Sequence, residues 1–240
     1  MMPVKQRSLA CRWVLGNMVL LTAAGLAVAD PVVARDSPTI GQPVQEGLVR
    51  VGMLVYGGGK SGVCFSSGFL ADVSRQTGVR VSRRFELVDL ADVSVFGYPF
   101  VIISGTGPFE LSGLERDNLR AYLERGGFLL ASAGCSNRSW SESFQKAVAP
   151  LLPPAGFEGV PLDHPIFRTL YNIDRLPTRK GSTTASVFGA ELGGRLAVVF
   201  SPVGLNDTAR AGQGCCCCGG NELRNASQIN ANLLVYALTH

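Results

Sequence analysis

Histidine is nearly missing: the 240 residues hold two, His164 and His240. Metal centres built on several imidazoles, and mechanisms needing a His pair, are thereby all but excluded. Charge is also sparse, with 17% charged residues and a formal net charge of +4. There is no internal repeat, no Pro tract and no G-X-Y period, so collagen-like and solenoid architectures drop out. No apolar run reaches the roughly 20 residues of a spanning helix. What is abundant is apolar and turn-forming material: 46% hydrophobic residues and 29 glycines. That composition suits one ordinary α/β domain with a sizeable core.

The scarcity of acid is sharpest at the start. Residues 1–29 contain Lys5, Arg7 and Arg12 but no Asp or Glu. An apolar stretch from Trp13 to Val28 follows the basic residues and ends in Ala27-Val28-Ala29 before Asp30-Pro31. This order reads as a signal peptide, cleaved after Ala29. An uncleaved membrane anchor is the competing reading. Cleavage leaves 19 Lys/Arg against 18 Asp/Glu. The basicity therefore belongs to the signal, and nothing argues for a nucleic-acid partner. The expected product is exported, periplasmic or secreted, with no stable membrane span.

Export also changes the cysteine count. Cys11 goes with the signal, leaving Cys64, Cys135 and the run Cys215, Cys216, Cys217 and Cys218. An even number in an oxidising compartment suits disulfides. Thiolates also hold zinc, the one metal this set suggests, although four consecutive cysteines lack the usual C-x₂₋₄-C spacing. No cofactor is otherwise expected.

Residues 30–47 read as a Pro/Gly-rich linker, and 48–240 as a single domain. Strands are expected at Val49–Val55, within Arg80–Leu90, and at Phe100–Ser104, Phe128–Ala131 and Arg195–Ser201. Helices are expected after the glycine loop, from the Ser112-x-x-Glu115 capping signal to Gly126-Gly127, around Ser141–Leu152, and over Ala226–Leu238. Alternating strands and helices imply a doubly wound, mostly parallel sheet. Its strand-to-helix loops share one edge, where ligands usually bind. The candidate ligand-edge residues are Gly57, Gly58, Gly59, Ser104, Gly105, Thr106 and Gly107. Gly59-Lys60-Ser61 invites comparison with a phosphate-binding P-loop, but that motif puts a glycine where Leu54 stands. A tight turn offering N–H donors to an anion fits better.

Several segments in order resemble one family: Tyr56-Gly57-Gly58-Gly59, Ser104-Gly105-Thr106-Gly107-Pro108-Phe109, Arg125-Gly126-Gly127-Phe128-Leu129, Asp163-His164-Pro165-Ile166-Phe167 and Gly194-Arg195-Leu196-Ala197-Val198-Val199. Together they resemble the domain of unknown function 4159, over about residues 48–240. That resemblance implies a flavodoxin-like fold of the class I glutamine amidotransferase-like superfamily and no agreed activity. Thr106 and Ser132-Ala133 stand where such proteins often carry His and acidic residues.

Three functions follow. The leading one is a non-catalytic accessory module binding a small ligand or protein partner, since the ligand edge has lost polar groups. The second is a cysteine hydrolase or amidotransferase, with Cys135 on a turn after a central strand, His164 as base and Asp163 beside it. The third is a metal- or redox-responsive protein using the cysteine run.

Overall fold

Alternating burial organises the sheet. In the computed structural model, which describes residues 47–62, 65–181, 185–207, 210 and 220–240, Phe100 and Ile102 enter one core and Val101 and Ile103 the other. All four are completely buried. These belong to β3 (Phe100–Gly105). The neighbouring β4 (Phe128–Ala133) divides its side chains in the same way, Phe128 and Leu130 against Leu129, Ala131 and Ala133. A strand apolar on both faces belongs in the middle of a parallel sheet covered twice.

Among the described residues, the coverings are four helices. α1 (Gly68–Thr77) and α4 (Ala226–Thr239) share one core, while α2 (Gly113–Glu124) and α3 (Arg138–Val148) share the other. Fully burying each Phe or Leu of these cores contributes about 1.5–3 kcal/mol. Phe100 stacks on Phe128 at 5.2 Å between ring centres, tying β3 to β4 inside the first core.

The remaining strands are β1 (Val51–Val55), β2 (Glu86–Asp89), β5 (Glu158–Gly159), β6 (Phe188–Leu192) and β7 (Arg195–Ser201). Their order across the sheet is β2-β1-β3-β4-β7-β6-β5. The first five run parallel, and β6 and β5 extend the sheet antiparallel. The expected mostly parallel α/β sheet is present. The antiparallel extension is an addition to it. Every described residue belongs to one compact unit, Val44–His240.

Local chemistry sets the helix ends. Ser112 Oγ accepts from the Glu115 N–H at 3.2 Å while Glu115 Oε2 accepts from the Ser112 N–H at 2.6 Å. This closes the capping box anticipated for α2. α3 starts earlier than its expected position because Asn137 Oδ1 caps it, accepting from the Trp140 N–H at 2.9 Å. It ends at Val148, and Pro150 leads the chain into a short 3₁₀ turn over Ala149–Leu151. No helix among the described residues is long and apolar enough to cross a membrane.

Candidate functional site

The loops after β1, β3, β4 and β7 meet at the C-terminal edge of the parallel strands. Gly57, Gly58 and Gly59 all have positive φ, at 53°, 81° and 93°. Paired bonds between Tyr56 and Lys60 close the turn, N–H to O distances being 2.9 and 2.8 Å. Only glycine adopts this left-handed run cheaply. The anion that its N–H groups were expected to attract is the protein's own: Glu115 Oε1 accepts from the Gly57 N–H at 2.7 Å. One carboxylate thus serves both the α2 cap and the glycine turn.

The β3 loop is held as tightly. Tyr56 Oη donates to the Ser104 carbonyl at 3.0 Å, and Trp140 Nε1–H donates to Tyr56 Oη at 2.7 Å. Burial pushes the Tyr56 phenol up to about 12, with the Trp140 hydrogen bond opposing. Gly105 lies against this pair, where an added Cβ would strike both the phenol oxygen and the indole nitrogen. Asn137 Oδ1 also accepts from the Gly107 N–H at 3.1 Å. Ser132 Oγ accepts from the Leu205 N–H at 2.8 Å, and Ser136 Oγ donates to the Val203 carbonyl at 2.6 Å. Most polar side chains at this edge are therefore engaged in holding loops.

Cys135 stands just past β4, half-buried, in a left-handed conformation (φ 53°, ψ 30°), and Ser136 follows with φ 54°. Two consecutive non-glycine residues in this region mark a sharp, constrained turn. Gly220 packs on it, a Cβ there falling 2.6 Å from the Cys135 Cα.

His164 is elsewhere. Its Nδ1 accepts from the Ile166 N–H at 3.2 Å and caps the turn Pro165–Phe167. It lines a cavity of about 150 Å³ with Glu158, Glu191 and Leu196. Its ring centre lies 5.9 Å from that of Tyr236, which is in turn 6.2 Å from Phe128, the first residue of β4. Cys135 stands two residues past Ala133, the last residue of that strand. Six residues at about 3.3 Å each put roughly 16–20 Å between the two ends of β4. Cys135 and His164 are thus not brought together, and Asp163 is exposed. Burial lowers the His164 pKa, which nearby Glu191 and Asp163 only partly offset. Both histidines occupy this far edge, His240 stacking on Tyr236 at 4.3 Å.

Cys135 is the one cysteine among the described residues; Cys64 and Cys215–Cys218, expected as disulfide or metal ligands, lie outside them. Among the described residues no group of three or more His, Cys, Asp or Glu side chains is arranged to hold a metal ion.

The family model of domain of unknown function DUF4159 matches residues 53–238. The chain belongs to this family. The match runs from within β1 into the last turn of α4, so it takes in the glycine turn, Cys135 and His164 alike. None of the curated proteins matches the chain. Family membership leaves the activity open.

Sequence reasoning missed one buried residue of the edge, Glu222, which is 1% exposed. Its position beside the glycine-flanked cysteine run was the available signal, and a lone Glu in a polar loop reads as solvated.

Proposed function

We propose that this DUF4159 protein is an exported, non-catalytic accessory module that binds a small ligand or protein partner at the C-terminal edge of its sheet. The scaffold is read as flavodoxin-like, of the class I glutamine amidotransferase-like kind. The order of its five parallel strands, β2-β1-β3-β4-β7, supports this, since it follows the 2-1-3-4-5 pattern of such folds. In that pattern the ligand crevice opens between β1 and β3, beside Gly57–Gly59 and Gly105–Gly107.

The observation that carries the reading is the position of the histidines. Both lie at the opposite edge around Tyr236, so no imidazole reaches Cys135 to act as its base. Mature protein recovered from the exported fraction should begin at Asp30 on N-terminal sequencing. It should also release no ammonia from glutamine and hydrolyse no simple ester beyond the Cys135→Ser background. Turnover that is lost in His164→Ala would overturn the proposal in favour of the hydrolase.

A further inference from the structure

The antiparallel end of the sheet carries charge that the fold leaves unbalanced. Glu158 on β5 pairs with Gly189 across the ladder, and Glu191 stands two positions further along β6, past a bulge. Both carboxylates line the cavity of about 150 Å³ that His164 also lines, and Val160 and Leu196 supply apolar wall. No Lys or Arg lines it. Among the described residues neither glutamate takes part in an ion pair. Two carboxylates sharing one small concavity repel each other, and a cation seated between them relieves this.

Size and shape narrow the occupant. Sites for nucleotides and other drug-sized ligands run to roughly 300–1,000 Å³, so a smaller group suits this one. A cavity of about 150 Å³ takes a benzene-sized molecule, which is also the bulk of one short alkylamine. The apolar wall depends on a missing side chain. Leu196 and Val160 occupy the space that a residue at Gly189 would fill, since an added Cβ would strike Leu196 and fall 2.8 Å from Val160. An aliphatic stem can lie on such a wall while its charged head reaches the glutamates.

The imidazole argues against a metal ion as that cation. His164 Nδ1 accepts from the Ile166 N–H at 3.2 Å, so the neutral ring carries its proton on Nε2. Nε2 then has no lone pair to give a metal. Burial lowers the His164 pKa, with the charges of Glu191 and Asp163 opposing. The ring therefore adds no positive charge at pH 7 to offset the glutamates.

We infer that this cavity binds a primary alkylammonium group, with Glu158 and Glu191 holding the charge and Val160 and Leu196 the alkyl stem. The same group occurs in a free aliphatic amine and in a lysine side chain offered by another protein. The site lies apart from the C-terminal edge, goes beyond the binding role proposed there, and is tested independently of it.

The test is titration of the isotope-labelled exported chain with n-butylammonium chloride at pH 7, read from backbone amide shifts. The amides of Val160, Gly189, Glu191 and Leu196 should shift and saturate in the millimolar range. Uncharged n-butanol should bind at least threefold more weakly. The double variant Glu158→Gln, Glu191→Gln should also bind butylammonium at least threefold more weakly, in line with exposed charge pairs. Both glutamates are exposed, so the variant keeps the folded spectrum. Shifts that do not saturate, or a loss below threefold for either the alcohol or the double variant, overturn the assignment. Nα-acetyl-lysine methylamide presents the same ammonium on a peptide backbone. Binding as tight as that of butylammonium assigns the site to a protein's lysine, and weaker binding assigns it to a free amine.

Discussion

Trp140 donates its indole N–H to the phenol oxygen of Tyr56, joining the first turn of α3 to the end of β1 across 84 positions of sequence. Both side chains are buried, so neither group has water as an alternative. Tyr56→Phe leaves the indole N–H without an acceptor and removes the donor to Ser104. The expected loss is about 1–3 kcal/mol, the usual cost of an orphaned buried polar group. Urea denaturation should show a lower midpoint with an unchanged slope. A midpoint equal to wild type would mean that the indole finds another acceptor.

Glu115 should prove a two-purpose residue. Glu115→Ala removes half of the α2 capping box, an effect of about 0.5–2 kcal/mol for cap residues generally. It also frees the Gly57 N–H. Amide exchange at Gly57 should therefore accelerate more than exchange within β3. Uniform acceleration across the sheet would assign Glu115 to the cap alone.

His164 gives the fold an acid sensitivity with a defined sign. Burial lowers its folded pKa below the ordinary 6.5, so the unfolded chain binds the proton more readily. Stability should fall as pH drops below about 6.5 and level off once the folded pKa is passed. His164→Asn keeps a side chain suited to the cap position and removes the titration. Melting temperatures between pH 7 and 5 should decline less in this variant, and equal declines would place the sensitivity elsewhere.

Non-reducing peptide mapping should link at least one of Cys215–Cys218 to Cys64 or Cys135. Ser66 N–H donates to Asn206 Oδ1 at 2.9 Å, and Ser66 Oγ to the Arg210 carbonyl at 3.2 Å. Ser66, two residues past Cys64, is thereby tied to Arg210, five residues before Cys215. Such a link would close a long loop and stabilise by about 2–4 kcal/mol. Reductant should then lower the melting temperature while a chelator leaves it unchanged. Recovery of every cysteine reduced with one zinc per chain would replace the disulfide by a metal site.

The parts legible in advance were those where local pattern and tertiary demand coincide. Phe100–Ser104 and Phe128–Ala131 are apolar runs and form central strands; Ser112 and Glu115 have the cap spacing and form the cap. β6 was not legible because Phe188-Gly189-Ala190-Glu191-Leu192 has neither clean alternation nor an apolar run. Its glycine is there for a neighbour: a Cβ on Gly189 would collide with Leu196 and fall 2.8 Å from Val160. α4 was legible as a helix, but not as one buried on nearly every side. Asn230 and Asn232 are completely buried, Asn230 donating to the Leu205 carbonyl and Asn232 binding the backbone of Leu170 and Tyr171. The polarity of these asparagines suggests an exposed face, and long-range partners that sequence spacing does not reveal reverse it. The same holds at the site. Cys135 was recognisable from its place after a strand, whereas the separation from His164 depends on the strand lying between them.

The stacking of Trp140 on Phe144, with ring centres 5.4 Å apart, has a spectroscopic consequence. The only other tryptophan is Trp13. If the first 29 residues are removed on export, all indole fluorescence comes from a single side chain that abuts Gly105 at the C-terminal edge of the parallel strands. Its emission then becomes a label-free optical gauge of that edge, reporting on the loops after β1 and β3 without any probe being added to the protein.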